Sequence, residues 1–150
     1  MVAAGYKAID SLRLEKGYRY WSGEISPDYS PYEAGLGFAV KLDKGDFIGR
    51  EALVKQKEGE LKQKLCCIAI SDSRTIALGK EPIRAGEKII GWVVAGGYGY
   101  SVGMSLAYAY LPVESSKPGT SLSVEFFGTQ VDAEVVKSPL WDPKGERIKA

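Results

Sequence analysis

The chain has 150 residues, 45% of them hydrophobic, and carries 20 Lys and Arg against 19 Asp and Glu, a formal charge of +1. That length suits about one domain of ~100–200 residues, and the even charge argues against a general nucleic-acid binder, which gathers a basic excess on one face. There is no histidine. A Ser-His-Asp triad, a His-ligated metal and a His general base are excluded, so proton transfer would fall to carboxylates, Lys, Tyr or Cys.

In chain order, Ala4, Ala8 and Leu12 recur at helical spacing with Ile9 beside them, which predicts a helix over 4–15 stopped by Gly17. The aromatic cluster Tyr18, Tyr20 and Trp21 follows, then a polar, turn-rich loop from Ser22 to Pro31. Gly35 to Leu42 reads as a strand. The run Phe47-Ile48-Gly49-Arg50-Glu51-Ala52-Leu53 opens a second amphipathic helix ending near Lys57. Glu58-Gly59-Glu60 marks a boundary, dividing a segment 1–59 from a domain 60–150.

Beyond that boundary the pattern turns to strands. Leu65 to Ile70 is an uninterrupted apolar run, as expected of a strand covered on both sides. It contains both cysteines, Cys66 and Cys67, whose adjacency rules out a disulfide framework and suggests buried free thiols, with a redox pair as the alternative. From Ile89 to Val113 there is no charge, but Gly91, Gly96, Gly97, Gly99 and Gly103 interrupt the stretch. A strand over 88–95, a Gly-rich turn and a strand over 102–111 fit it better than a membrane span. Leu122, Val124 and Phe126, then Val131, Ala133 and Val135, alternate with polar residues about Gly128-Thr129 and predict a hairpin with one wet face. Four to six strands at regular spacing indicate a small barrel or sandwich at about 60–145.

Few residues offer chemistry. No Lys-Ser or Lys-Thr follows Gly96–Gly103, so it is not a phosphate loop. Glu33, Asp43, Asp46 and Glu51 lack the spacing of a metal cage, and no metal is expected. Glu15 stands out: a carboxylate at a helix end, flanked by Arg13 and followed by aromatics, could receive a flat heterocycle. A structural Arg–Glu pair is the alternative. The first residues lack an apolar signal core, which makes a cytoplasmic or mitochondrial-matrix setting the expectation.

Several ordered blocks then carry a resemblance. Ala8-Ile9-Asp10-Ser11-Leu12-Arg13-Leu14-Glu15-Lys16-Gly17, Trp21 with Gly23, Pro31-Tyr32-Glu33-Ala34-Gly35-Leu36 and Phe47 to Leu53 resemble the C-terminal part of the glycine-cleavage T-protein (aminomethyltransferase) superfamily. Glu-Lys-Gly-Tyr-Arg-Tyr-Trp and Phe-Ile-Gly-Arg-Glu-Ala-Leu are similar to the folate-binding portions of dimethylglycine and sarcosine dehydrogenases. Glu81-Pro82-Ile83, Gly91 to Gly97, Ala107 to Leu111 and Pro139 to Pro143 resemble that family's C-terminal barrel.

The resemblance implies an α+β fold: a short helical and strand segment of a folate-binding domain, then a small antiparallel β-barrel. It implies tetrahydrofolate as acceptor of a one-carbon unit from a glycine- or methylglycine-derived donor. It makes Glu15 the pterin ligand, because one carboxylate can accept the adjacent ring-amide and 2-amino N–H groups together. Trp21 would line the folate site, Lys44 would stand where the family places an arginine on the folate side, and Arg13 would orient Glu15 from behind. A lysine keeps the charge of that arginine but loses its bidentate fork. The family's catalytic aspartate belongs to the N-terminal half and has no counterpart here, so no catalytic residue is expected, and the chain alone should be inactive. No Gly-x-Gly-x-x-Gly opens a flavin domain. The partners implied are folate and the N-terminal half or a separate subunit, with neither nucleic acid nor membrane. The alternatives are a non-catalytic barrel used for docking or scaffolding, and a paralogue using the fold for another methyl donor or for RNA modification.

Overall fold

The computed structural model describes residues 5–147 and 149. Helix α1 spans Tyr6–Lys16 and ends where Gly17 takes φ 70°, a left-handed conformation that costs glycine no Cβ clash. Gly17 N–H then donates to Leu14 O (3.2 Å) and Tyr18 N–H to Arg13 O (2.9 Å), satisfying carbonyls left over at the helix end. A long irregular segment follows, broken by a 3-10 turn at Gly37–Ala39, before α2 at Arg50–Glu58.

Six strands come next: β1 (Gln63–Ile70), β2 (Pro82–Ala85), β3 (Lys88–Gly99), β4 (Met104–Pro112), β5 (Ser121–Phe126) and β6 (Thr129–Val136). They close into an antiparallel barrel in the order β1-β4-β3-β2-β5-β6, with β6 returning to β1. Closure leaves no unpaired sheet edge. Cys66, Ile68, Ile70, Ile83, Val93, Ala107, Ala109, Leu111, Val124 and Val135 fill the interior. The intervening residues Cys67, Ala95, Leu106 and Tyr108 point outward and form a second cluster with Leu14 of α1. Strand period therefore explains why β1 and β4 read as unbroken apolar runs: one set faces the barrel interior, the other lies under α1 and the irregular segment after it.

The barrel and the β5–β6 hairpin match the expectation. The hairpin turn is the two residues Phe127 and Gly128 at φ 47° and 78°, the positive pair that a tight turn between right-twisted strands demands. Elsewhere the structure corrects the sequence reading. Gly35 to Leu42 is no strand: Gly35 sits at φ 69°, the 3-10 turn occupies 37–39, and Phe38 is left 76% exposed with no neighbouring strand to pair. The second helix starts at Arg50, after Gly49 at φ 87°, and buries no residue. Gly96, Gly97 and Gly99 are not a turn but the end of β3, and the turn falls at Tyr100–Gly103. The short β2 gave no periodic signal. In α1, Ala4 lies outside the described residues, while Ala8 and Leu12 face solvent; Leu14 and Glu15 are the buried pair.

Candidate functional site

Glu15 is set at the junction of three pieces of chain. From below, the barrel receives α1: Ser11 Oγ donates to Tyr98 O (2.7 Å) and Tyr108 Oη to Leu14 O (2.9 Å). The glycines of β3 make that approach possible, since a Cβ on Gly97 would stand 3.0 Å from Leu14 Cδ1. From the far end of the sequence, Leu140 and Trp141 donate their N–H groups to Glu15 O at 3.2 and 3.0 Å. Lys16 Nζ binds Asp142 Oδ2 at 3.0 Å. Burial pushes the Asp142 carboxyl up, but the Lys16 hydrogen bond and backbone N–H donors outweigh it and hold the group below the usual range.

The Glu15 side chain is 1% exposed. Its Oε1 accepts the Ser101 N–H at 2.5 Å, from the turn between β3 and β4. Its Oε2 is buried without a partner, a condition shared among the described residues with Arg19 Nε and Tyr32 Oη. An unsatisfied buried acceptor costs about 1–3 kcal/mol, more when charged. That deficit is what a ligand donor would remove. Oε2 has no open surface, so a donor reaches it only when a neighbour yields.

Arg13 does not support Glu15. Its guanidinium bonds Glu24 Oε1 (2.5 Å), Asp10 Oδ1 (3.2 Å) and Tyr18 O (3.4 Å), and lies 4.2 Å from the centroid of the Tyr20 ring. The expectation that it orients Glu15 is corrected: Arg13 turns to the 20–25 loop, where Glu24, as deeply buried as Glu15, takes its guanidinium. Glu24 is the residue the sequence reading missed. It is 1% exposed, its Oε2 accepts Tyr20 N–H (3.2 Å), and its carbonyl accepts Tyr110 Oη (2.7 Å). Tyr29 stacks on Tyr110 at 3.5 Å between centroids, pinning the loop to β4. A lone glutamate in a polar turn gives no periodic signal, and only the neighbouring aromatics hinted at packing there.

Trp21 is 64% exposed and joins Ile25 in a single bridge. Lys44 is exposed, with Nζ 4.6 Å from the Phe47 centroid. Three surface cavities, of about 900, 600 and 610 Å³, are lined by neither Glu15, Trp21 nor Lys44. None of these three cavities brings the sequence-predicted folate contacts together. Among the described residues, no group of three or more His, Cys, Asp or Glu could hold a metal, and no helix is long and apolar enough to cross a membrane. Cys66 and Cys67 are buried free thiols, each pushed up to about 11 by burial, so both stay protonated near neutral pH.

Residues 63–142 match the family model of the glycine cleavage T-protein C-terminal barrel domain, and residues 1–44 match that of the GCVT N-terminal domain. The chain belongs to the glycine cleavage T-protein family. Mouse mitochondrial dimethylglycine dehydrogenase is 40% identical over 91% of this chain, which is 16% of that protein's length. An aminomethyltransferase of Symbiobacterium thermophilum is 39% identical over 94% of the chain and 38% of its own length. The crystal structure of the glycine cleavage system aminomethyltransferase T from Bartonella henselae superposes with a TM-score of 0.87 at 27% identity, covering 93% of this chain and 40% of the other. The T-protein barrel is thus shared, while the chain spans well under half the length of these relatives.

Proposed function

We propose that this chain is the C-terminal portion of a tetrahydrofolate-dependent aminomethyltransferase-like enzyme, moving a one-carbon unit from a glycine- or methylglycine-derived amine to tetrahydrofolate. The observation that carries the reading is Glu15: a buried carboxylate with one oxygen held by Ser101 and the other without a donor. A pterin edge offers adjacent N–H donors, which is what that acceptor lacks. Tetrahydrofolate, when bound, supplies the nucleophilic nitrogen that takes up the carbon. The role of this chain is to hold and orient the pterin edge through Glu15, with Trp21 and Lys44 toward the rest of the folate. No residue here is assigned to proton transfer, so turnover would need an N-terminal half or a partner subunit. The boundary is placed at about residues 59–60, supported by the separate family matches over 1–44 and 63–142.

Calorimetry with tetrahydrofolate tests this, on the chain alone and complemented with the N-terminal portion of the Symbiobacterium aminomethyltransferase. Binding in either form that falls at least tenfold in Glu15→Gln supports the reading, about the weight of one charge-assisted hydrogen bond. Equal affinity in wild type and variant, or no binding in either form, overturns it.

A second reading, a non-catalytic docking piece, draws on one feature. Tyr6, Ile9 and Leu12 of α1 are 82, 60 and 57% exposed and lie at helical spacing on the face away from the barrel. Such a stripe is suited to covering by another polypeptide. The two readings separate on folate: a scaffold needs none.

A further inference from the structure

Glu15 reaches its position through a contact that neither its helix nor its charge explains. The side chain stands over the end of β3, where Gly99 presents no Cβ. An added Cβ there would lie 3.1 Å from Glu15 Cγ, 3.2 Å from Glu15 Oε1 and 2.7 Å from Val102 Cγ2. Gly99 is not in the left-handed region that calls for glycine, whereas Gly103, closing the same turn, is at φ 69°. The backbone therefore does not require glycine at 99; the space does. The turn is closed by Gly103 N–H on Gly99 O (2.8 Å), and that closure aims the Ser101 N–H at Glu15 Oε1.

We propose that Gly99 and the Tyr100–Gly103 turn are the positioning device of the ligand carboxylate: the bare Cα of Gly99 leaves the space in which Glu15 stands, and Ser101 N–H fixes Oε1, leaving Oε2 as the oxygen that takes a ligand donor once a neighbour yields. The inference rests on the reading of Glu15 as the pterin acceptor and adds the residues that hold it. Each carboxylate oxygen can accept two hydrogen bonds, so Oε1 keeps one acceptor position while bound to Ser101 and Oε2 keeps both. The pterin edge is then met by a carboxylate already fixed at one oxygen, and the ordering cost of the side chain falls on folding instead of on binding.

The neighbouring glycine supplies the control. Gly97→Ala crowds Leu14 on the same helix but comes near no carboxylate atom. In the form of the protein that binds tetrahydrofolate, Gly99→Ala should weaken binding about tenfold or more, the weight of a displaced charge-assisted acceptor, whereas Gly97→Ala stays within about threefold at comparable thermal stability. The Ser101 amide resonance should move in Gly99→Ala and hold in Gly97→Ala. Wild-type affinity in Gly99→Ala, or equal losses in both variants, overturns the proposal. If Glu15→Gln binds normally, the folate reading itself fails; if it weakens while Gly99→Ala does not, only the positioning role fails. Should Gly99→Ala fold too poorly to titrate, hydrogen exchange at Ser101 decides: the amide is protected in wild type and exchanges faster in Glu15→Ala, and an unchanged rate overturns the proposal.

Discussion

At the scale of single residues, the molecule invests its buried charge in two glutamates with different fates. Glu15 is left with a vacant acceptor, while Glu24 is fully engaged by Arg13, by Tyr20 N–H and, through its carbonyl, by Tyr110. Both carboxylates are 1% exposed, so neither can fall back on water. An ion pair this deep is not in itself a source of stability, because desolvating both charges offsets much of their attraction; removing one member is the costly event. Arg13→Met should therefore lower the unfolding free energy by about 3 kcal/mol, since it strands the Glu24 carboxylate. The double variant Arg13→Met with Glu24→Leu should recover a good part of that loss. Urea unfolding of the single and double variants measures both, and an Arg13→Met midpoint equal to wild type would show the pair to be idle.

At the scale of elements, strand β3 carries the most unexpected design. Its glycines look like punctuation in the sequence but serve packing in the fold: Gly96 accommodates the Ala77 carbonyl, Gly97 the Leu14 side chain and Gly99 the Glu15 side chain. A Cβ on Gly96 would collide with the Ala77 carbonyl oxygen and lie 3.1 Å from Leu106 O, both backbone atoms that cannot swing aside. Gly96→Ala is accordingly expected to destabilise by about 1–3 kcal/mol, despite the ~0.4–1 kcal/mol gained by stiffening the unfolded chain. Thermal unfolding reads the difference, and a raised midpoint would refute the crowding argument. The same strand shows where sequence reasoning stops. The β5–β6 hairpin was legible because alternation and turn residues are local properties. Gly96, Gly97 and Gly99 were misread because Ala77, Leu14 and Glu15, which crowd them, arrive from elsewhere in the chain, and no pattern within the strand reports them. Glu15 was legible as a helix-end carboxylate beside aromatics, and its surrounding block of family-like residues gave it a ligand. Its partner Ser101 lies 86 positions away and contributes a backbone N–H, a group that carries no sequence signature.

At the scale of the whole molecule, the barrel is closed before the chain ends, since β6 stops at Val136 and already pairs with β1. The residues after it do different work. Ser138 meets Tyr108 Oη, Leu140 and Trp141 donate to the Glu15 carbonyl, and Asp142 takes Lys16, so the tail straps the last turn of α1 to the barrel. An 11-residue helix is marginal by itself in water, where isolated helices need about 12–15 residues to persist. Only Leu14 and Glu15 of α1 are buried, so its attachment depends heavily on this strap. Removing residues 138–150 should leave the β-sheet signal in circular dichroism nearly intact while amide exchange in α1 accelerates toward the rate of an unfolded segment. Tetrahydrofolate binding should fall with it, because the Glu15 carboxylate loses its fixed backbone. Unchanged protection of the α1 amides after truncation would mean that packing on β3 alone holds the helix, and that the tail is not what ties the two ends of this chain into one site.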